Sequence, residues 1–164
     1  LFDSAWSMFE YRQPLNYLIK RMKFNADLVA ARVLGVMMAD ALKRRVKPIP
    51  QVIIPVPLSL PRLRERGFNQ AFELARPIGK ALKLKIDFYS CRRIRDTAPQ
   101  TDLDAQQRRK NLLNAFACKP LDYKHVAIID DVMTTAATVE NVTTTLKEAG
   151  VEVVDVWVCA RSQI

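Results

Sequence analysis

Two adjacent carboxylates and a hydroxyl-rich bend stand together in HVAIIDDVMTTAATVENV, residues 125–142. Asp130 and Asp131 end an apolar run, and Thr134, Thr135 and Thr138 fill three of the five positions 134–138. Two acids side by side repel one another and suit electron-poor partners, either sugar hydroxyls or a divalent cation. Threonine hydroxyls ahead of a helix add donors to the unpaired N–H groups and the positive dipole end of that helix, which together hold phosphate. The acids would repel a phosphate set against them, so the two halves of the string ask for different parts of one ligand. A phosphorylated ribose has both parts, a phosphate and a diol.

That reading needs a strand to deliver the acids and a helix to receive the bend. Residues 125–130 read as a strand, 139–149 as a helix closed by Gly150, and 151–160 as a last apolar strand holding Trp157 in the core. Upstream, 14–23 reads as a short helix with Pro14 in its first turn. Residues 26–45 read as a longer helix with Leu28, Val29, Val33, Val36, Met37 and Leu42 near a 3.6 period. QVIIPVPL (51–58) reads as a buried strand, SLPRLRERGFNQ (59–70) as a loop, and 70–83 as a helix capped by Asn69. Residues 86–94 read as a strand, 95–103 as a mobile loop and 104–116 as a helix. Strands without polar alternation, separated by helices, predict an α/β fold with a parallel sheet flanked by helices, and ligands then sit at the carboxyl ends of the strands. The chain reads as one domain over 1–164, with N-terminal helices over 1–48 and the α/β core over 49–164.

Composition narrows the class. At 49% hydrophobic and 26% charged residues the chain is globular and not disordered. No apolar run approaches the roughly 18–20 residues of a membrane span. The start, LFDSAWSMFEYRQ, is not a signal peptide and has no initiator methionine, so a removed upstream part is expected. Cys91, Cys118 and Cys159 are scattered and odd in number, which speaks against zinc and a disulfide framework and for reduced, buried thiols in a cytoplasmic protein. Residues 1–119 carry +13 and residues 120–164 carry −4. The basic part suits polyphosphates or nucleic acid.

Other readings of the acid pair have less support. A Walker-B acid would need the G-x-x-x-x-G-K-[ST] loop, which the chain lacks. A receiver domain would carry its acids near the first strand. A plain structural turn stays open.

VAIIDDVMTTAAT resembles the ribose-phosphate motif of type I phosphoribosyltransferases. IIPVPLSLPRLRERGFNQAFELA (53–75) and RRIRDTAPQTDLDAQQRRKNLLNAF (92–116) resemble the ComF/GntX family, which is linked to DNA uptake and natural competence. Members usually begin with a four-cysteine zinc module, and its absence here fits a truncated start. The resemblance implies a type I phosphoribosyltransferase-like fold and a ligand of the phosphoribosyl pyrophosphate (PRPP) class. Asp130 and Asp131 would hold the ribose hydroxyls directly or through Mg²⁺, and would be the catalytic pair if the protein turns over. Thr134, Thr135, Ala136, Ala137 and Thr138 would cradle the 5-phosphate. Leu58, Arg62, Arg64 and Arg66 would face pyrophosphate. Arg108, Arg109 and Lys110 adjoin the stretch that forms a hood in this fold, or else form a solvated basic face. Ala136 departs from the glycine common at its position; a left-handed backbone there costs alanine about 1–2 kcal/mol.

Function is then expected to be DNA uptake, with single-stranded DNA and an uptake helicase as partners. An active phosphoribosyltransferase of base or nucleotide salvage and a non-catalytic metabolite-sensing adaptor are the alternatives. Arg62, Arg64 and Arg66 would form a phosphate comb if the loop is extended. Lys20, Arg21 and Lys23 beside Tyr17 and Phe24 suit a nucleic-acid strand, although the two aromatics fit a core better. His125 has no partner in view and no catalytic role.

Overall fold

The computed structural model describes residues 1–24, 27–45, 48–95 and 115–162. The elements are β1 (Ser4–Glu10), α1 (Leu15–Phe24), α2 (Leu28–Arg45), β2 (Val52–Pro55), α3 (Leu60–Arg66), α4 (Gln70–Leu82), β3 (Lys85–Ile86), β4 (Cys91–Arg93), β5 (Phe116–Cys118), β6 (His125–Met133), α5 (Ala137–Glu148) and β7 (Val153–Arg161). A five-stranded sheet has the order β1-β7-β6-β2-β3, and every pairing in it is parallel. β4 and β5 form a separate antiparallel ribbon. This is the expected α/β class, a parallel sheet covered by helices on both faces.

Side-chain alternation feeds two cores. Val126 and Ile128 point to the face covered by α5 and the ribbon. Ala127 and Ile129 point to the face covered by α1, α2 and α4, where Trp157 of β7 is also buried. Both faces being apolar explains why β6 and β7 show no polar alternation in sequence.

Several elements differ from the sequence reading. β1 lies in the first stretch, read above as carrying only helices, and is half-buried at the sheet edge beside β7. Residues 86–94 are not one strand: β3 belongs to the main sheet and β4 to the ribbon. Of the stretches 95–103 and 104–116, residues 96–114 lie outside the described residues, and the second stretch ends on Phe116, the first residue of β5. On α2 the buried residues are Ala31, Leu34, Gly35, Met38, Ala39 and Leu42. Val29, Val33, Val36 and Met37 are exposed. The helix is apolar nearly all round, so periodicity has little contrast there, and the small residues decide which face packs.

Gly35 shows why. A Cβ added there would meet Pro77 Cγ at 2.5 Å and the Leu74 carbonyl oxygen at 2.9 Å. The close approach of α2 to α4 therefore needs a residue without a side chain. Gly35→Ala is expected to destabilise the fold by about 1–3 kcal/mol, read by urea unfolding; a variant as stable as the parent would show that the two helices separate freely at this crossing.

Candidate functional site

The sheet order sets where a ligand can enter. From β2 the chain moves outward to β3, whereas from β6 it moves the other way to β7. The two outward turns leave a crevice at the carboxyl ends of β2 and β6, the switch point where open parallel sheets bind ligands. The strands meet in register, with Pro55 opposite Ile129. The Val56 N–H donates to the Ile129 carbonyl at 2.9 Å, which holds the segment after β2 beside Asp130.

The acid pair lies towards the carboxyl end of β6, which runs three residues further than the strand over 125–130 read from the sequence. Asp130 and Asp131 are 9% and 3% exposed. Strand alternation separates neighbouring side chains. Asp130 lines a cleft with Met133, Thr134, Thr135, Ala136 and Thr138. Asp131 meets Lys23 of α1, with Nζ 2.8 Å from Oδ2. That contact is an ion pair without directed hydrogen-bond geometry, and Asp131 Oδ2 has no hydrogen-bond partner. The Asp131 N–H donates to Asp130 Oδ1 and the Val132 N–H to Asp131 Oδ1, each at 2.8 Å.

Electrostatics follow from burial. Loss of water around Asp130, reinforced by the charge of Asp131, pushes its pKa up to about 8. Burial alone would lower the Lys23 amine, but the Asp131 charge outweighs it and holds the amine above its ordinary value.

The bend has the features of an anion site. Ala136 stands at φ +60°, the left-handed region, and is the N-cap of α5 without a side-chain cap. The first turn of α5 therefore lacks a capping acceptor for its N–H groups. The cleft encloses about 40 Å³, a few waters' worth of space. A phosphate group fills such a volume, and a sugar would extend from it toward Asp130. Thr134 is exposed and Thr135 and Thr138 are half-buried, so their hydroxyls remain within reach of a ligand. Thr143, Thr144 and Thr145 instead donate to carbonyls one turn back and serve the helix.

The segment after β2 is not the extended comb expected. Residues 60–66 form α3, with Pro61 in the first turn and Gly67 at φ +80° closing it. Helical spacing turns Arg64 to solvent and sets Arg62 and Arg66 on one half-buried side. Arg66 donates to Gln70 Oε1 at 2.6 Å and is lowered by burial, against which the charge of Asp131 acts. Leu58 is half-buried between β2 and α3. Asn69 caps α4 as expected, accepting from the Phe72 N–H at 3.1 Å, and its Nδ2 also donates to the Val56 carbonyl at 3.0 Å. One side chain thus ties α4 to the rim of the crevice.

Lys23, read in the sequence with Lys20 and Arg21 as suited to a nucleic-acid strand, was not expected beside the acid pair, because only the fold brings α1 to β6. The aromatic expected in the core beside it, Tyr17, is 57% exposed, with the Arg21 guanidinium 5.9 Å from its ring. The side chain of Phe24 lies outside the described residues, as do Arg108, Arg109 and Lys110. His125, at the far end of β6, pairs with Asp155 at 2.8 Å and joins strands rather than facing the crevice.

No group of three or more His, Cys, Asp or Glu suited to a metal ion occurs among the described residues. Mg²⁺ seldom needs one: it commonly takes one or two carboxylates plus ligand phosphate oxygens. Asp130 fits that mode, and Asp131 would join it once its Oδ2 leaves Lys23. No described helix is long and apolar enough to cross a membrane.

The chain is 36% identical over 160 residues to Competence protein F of Haemophilus influenzae, covering 93% of this chain and 70% of that protein. It is 35% identical over 158 residues to DNA utilization protein YhgH of Escherichia coli K12, covering 93% and 70%. With Competence protein ComFC of Streptococcus pneumoniae the identity is 28% over 145 residues, covering 88% and 62%. No family model matches the chain.

The raised pKa of Asp130 has a consequence for stability. Unfolded, the group releases its proton near the ordinary value of 3.8; folded, its pKa is pushed up to about 8. Its contribution is full below the first value and is lost as pH rises through the second. Asp130→Asn should flatten that fall and, above pH 8, be more stable than the parent by about 1–3 kcal/mol. Urea unfolding across this range checks it; an unchanged slope would show that Asp130 is ionised throughout.

Proposed function

The chain belongs to the ComF family of competence and DNA-utilisation proteins, and from that premise we propose that it serves DNA uptake by binding a PRPP-class ligand with Mg²⁺ and contacting single-stranded DNA. The observation that carries the ligand reading is the cleft itself. It sets a buried carboxylate against the uncapped start of α5 at the switch point of the sheet.

The chain's own groups divide the work. The first-turn N–H groups of α5 and the hydroxyls of Thr134, Thr135 and Thr138 take the 5-phosphate. Asp130, once it gives up its proton, accepts from a ribose hydroxyl. Lys23, Arg62 and Arg66 lie on the side where a pyrophosphate would meet positive charge. When bound, Mg²⁺ would screen the ligand's phosphates from the two carboxylates. Asp131 must loosen its hold on Lys23 before it can take a hydroxyl or the ion, so ligand binding and release of Lys23 go together.

The left-handed alanine and the Lys23–Asp131 pair favour binding over turnover. In a working phosphoribosyltransferase, the alternative, the same groups would stabilise the leaving pyrophosphate and exclude water. Pyrophosphate release from PRPP, Mg²⁺ and a panel of bases would support that alternative.

Titration calorimetry with PRPP should show binding that requires Mg²⁺. The double variant Asp130→Asn, Asp131→Asn should lose it and still fold, and Ala136→Gly should tighten it by up to about tenfold by removing left-handed strain. Affinity that survives in the double variant would displace the site from the crevice. For DNA, five phosphate contacts on a single strand give a slope of about −3.5 in log K against log salt. A flat response, or no binding at low salt, would remove DNA from the reading.

A further inference from the structure

The ribbon of β4 and β5 is separate from the main sheet and holds two of the three cysteines. Its register sets Cys91 directly opposite Cys118, Arg92 opposite Ala117 and Arg93 opposite Phe116. The bonds at its ends reveal which pairs are hydrogen-bonded. The Ile94 N–H donates to the Ala115 carbonyl at 2.8 Å, and the Lys119 N–H to the Ser90 carbonyl at 3.2 Å. Hydrogen-bonded and non-hydrogen-bonded pairs alternate in an antiparallel ladder. Residues 90 and 119 therefore form a bonded pair, and Cys91 and Cys118 the next, non-bonded one.

At such positions the Cα atoms stand about 4.5 Å apart with both side chains on one face. Disulfides span Cα separations of about 4.4–6.8 Å. The neighbouring non-bonded pair on that face has the Arg93 guanidinium 5.6 Å from the Phe116 ring, which anchors the register. Cys91 is buried in the core cluster beneath, and Cys118 packs half-buried against the same cluster as the more exposed of the two.

The chemistry of the two thiols differs as a disulfide exchange requires. The two sulfurs act on one another: Cys118 lies below the ordinary thiol value, and its neighbour together with burial raises Cys91. The more exposed sulfur is thus the better thiolate and the attacking group. A metal is a poor alternative, since no third ligand joins the two sulfurs among the described residues.

We propose that Cys91 and Cys118 are a thiol-modification site that takes a low-molecular-weight disulfide of the glutathione disulfide class and closes to a reversible intrachain disulfide. The Cys118 thiolate attacks one glutathione sulfur. The S–S bond of glutathione disulfide breaks and the first glutathione leaves as thiolate. Cys91 gives its proton to that thiolate, attacks the Cys118 sulfur and expels the second glutathione, which takes a proton from solvent. Two protein thiols are oxidised and one disulfide is reduced to two thiols. The staple would close the loop from 91 to 118 and join two three-residue strands that form a marginal ribbon by themselves.

The full-length reduced protein is incubated with glutathione disulfide, acid-quenched, denatured and alkylated, then mapped by mass spectrometry. The expected result is alkylation of Cys159 alone, a peptide linking Cys91 to Cys118, full reversal by dithiothreitol, and an unfolding temperature higher by about 10 °C in the oxidised form. Cys91→Ser should stop at a glutathione adduct on Cys118, and Cys118→Ser should leave Cys91 unmodified. Three alkylated thiols in the parent, or a glutathione adduct that persists there without closing, would overturn the proposal. Because the unmutated protein decides the outcome, a variant that fails to fold does not shield the idea.

Discussion

Two neighbouring carboxylates are buried at the end of one parallel strand, and the rest of the structure answers to that burden. Desolvation penalises each charge and mutual repulsion penalises the pair. Two different remedies apply. Asp131 faces α1 and is neutralised by Lys23. Asp130 faces the bend, and burial pushes its pKa up to about 8. Structural reasons alone would have replaced such a pair with apolar residues, since a buried ion pair is weak support for stability. A binding role supplies the missing reason: both remedies can be exchanged for a ligand's hydroxyls and a metal ion.

The scaffold makes that exchange local. β6 carries the acids and passes directly into the bend and α5, so acid and anion site share one continuous stretch. The segment after β2 joins them through a backbone bond to Ile129 and through Asn69, which caps α4 and grips Val56. The cations come from elsewhere, Lys23 from α1 and Arg66 from the last turn of α3. The ligand half that needs hydroxyl acceptors and phosphate donors is thus built from one segment. The half that needs positive charge is assembled by tertiary folding.

The same division explains what could be read in advance. The string from His125 to Val142 was legible because strand, acids, bend and helix follow one another and each leaves a local mark. Asn69 was legible because capping is a local event. Lys23 was not, since nothing near it in sequence announces its distant partner. α3 was read as a loop, although Ser59, Pro61 and Gly67 together mark the start and end of a short helix. β1 was missed because a half-buried edge strand shows neither clean alternation nor a continuous apolar run. On α2 the valines suggested one face, but close packing selected the face with Ala31, Gly35 and Ala39. The thiol pair was invisible for a related reason: Cys91 and Cys118 become neighbours only through the register of the ribbon.

The most direct measurement is a crystal structure grown with PRPP and magnesium. The account predicts the 5-phosphate against the first-turn N–H groups of α5, a ribose hydroxyl or the metal on Asp130, and Lys23 drawn away from Asp131. A sugar phosphate bound elsewhere on the protein, with Lys23 still paired to Asp131, would contradict it.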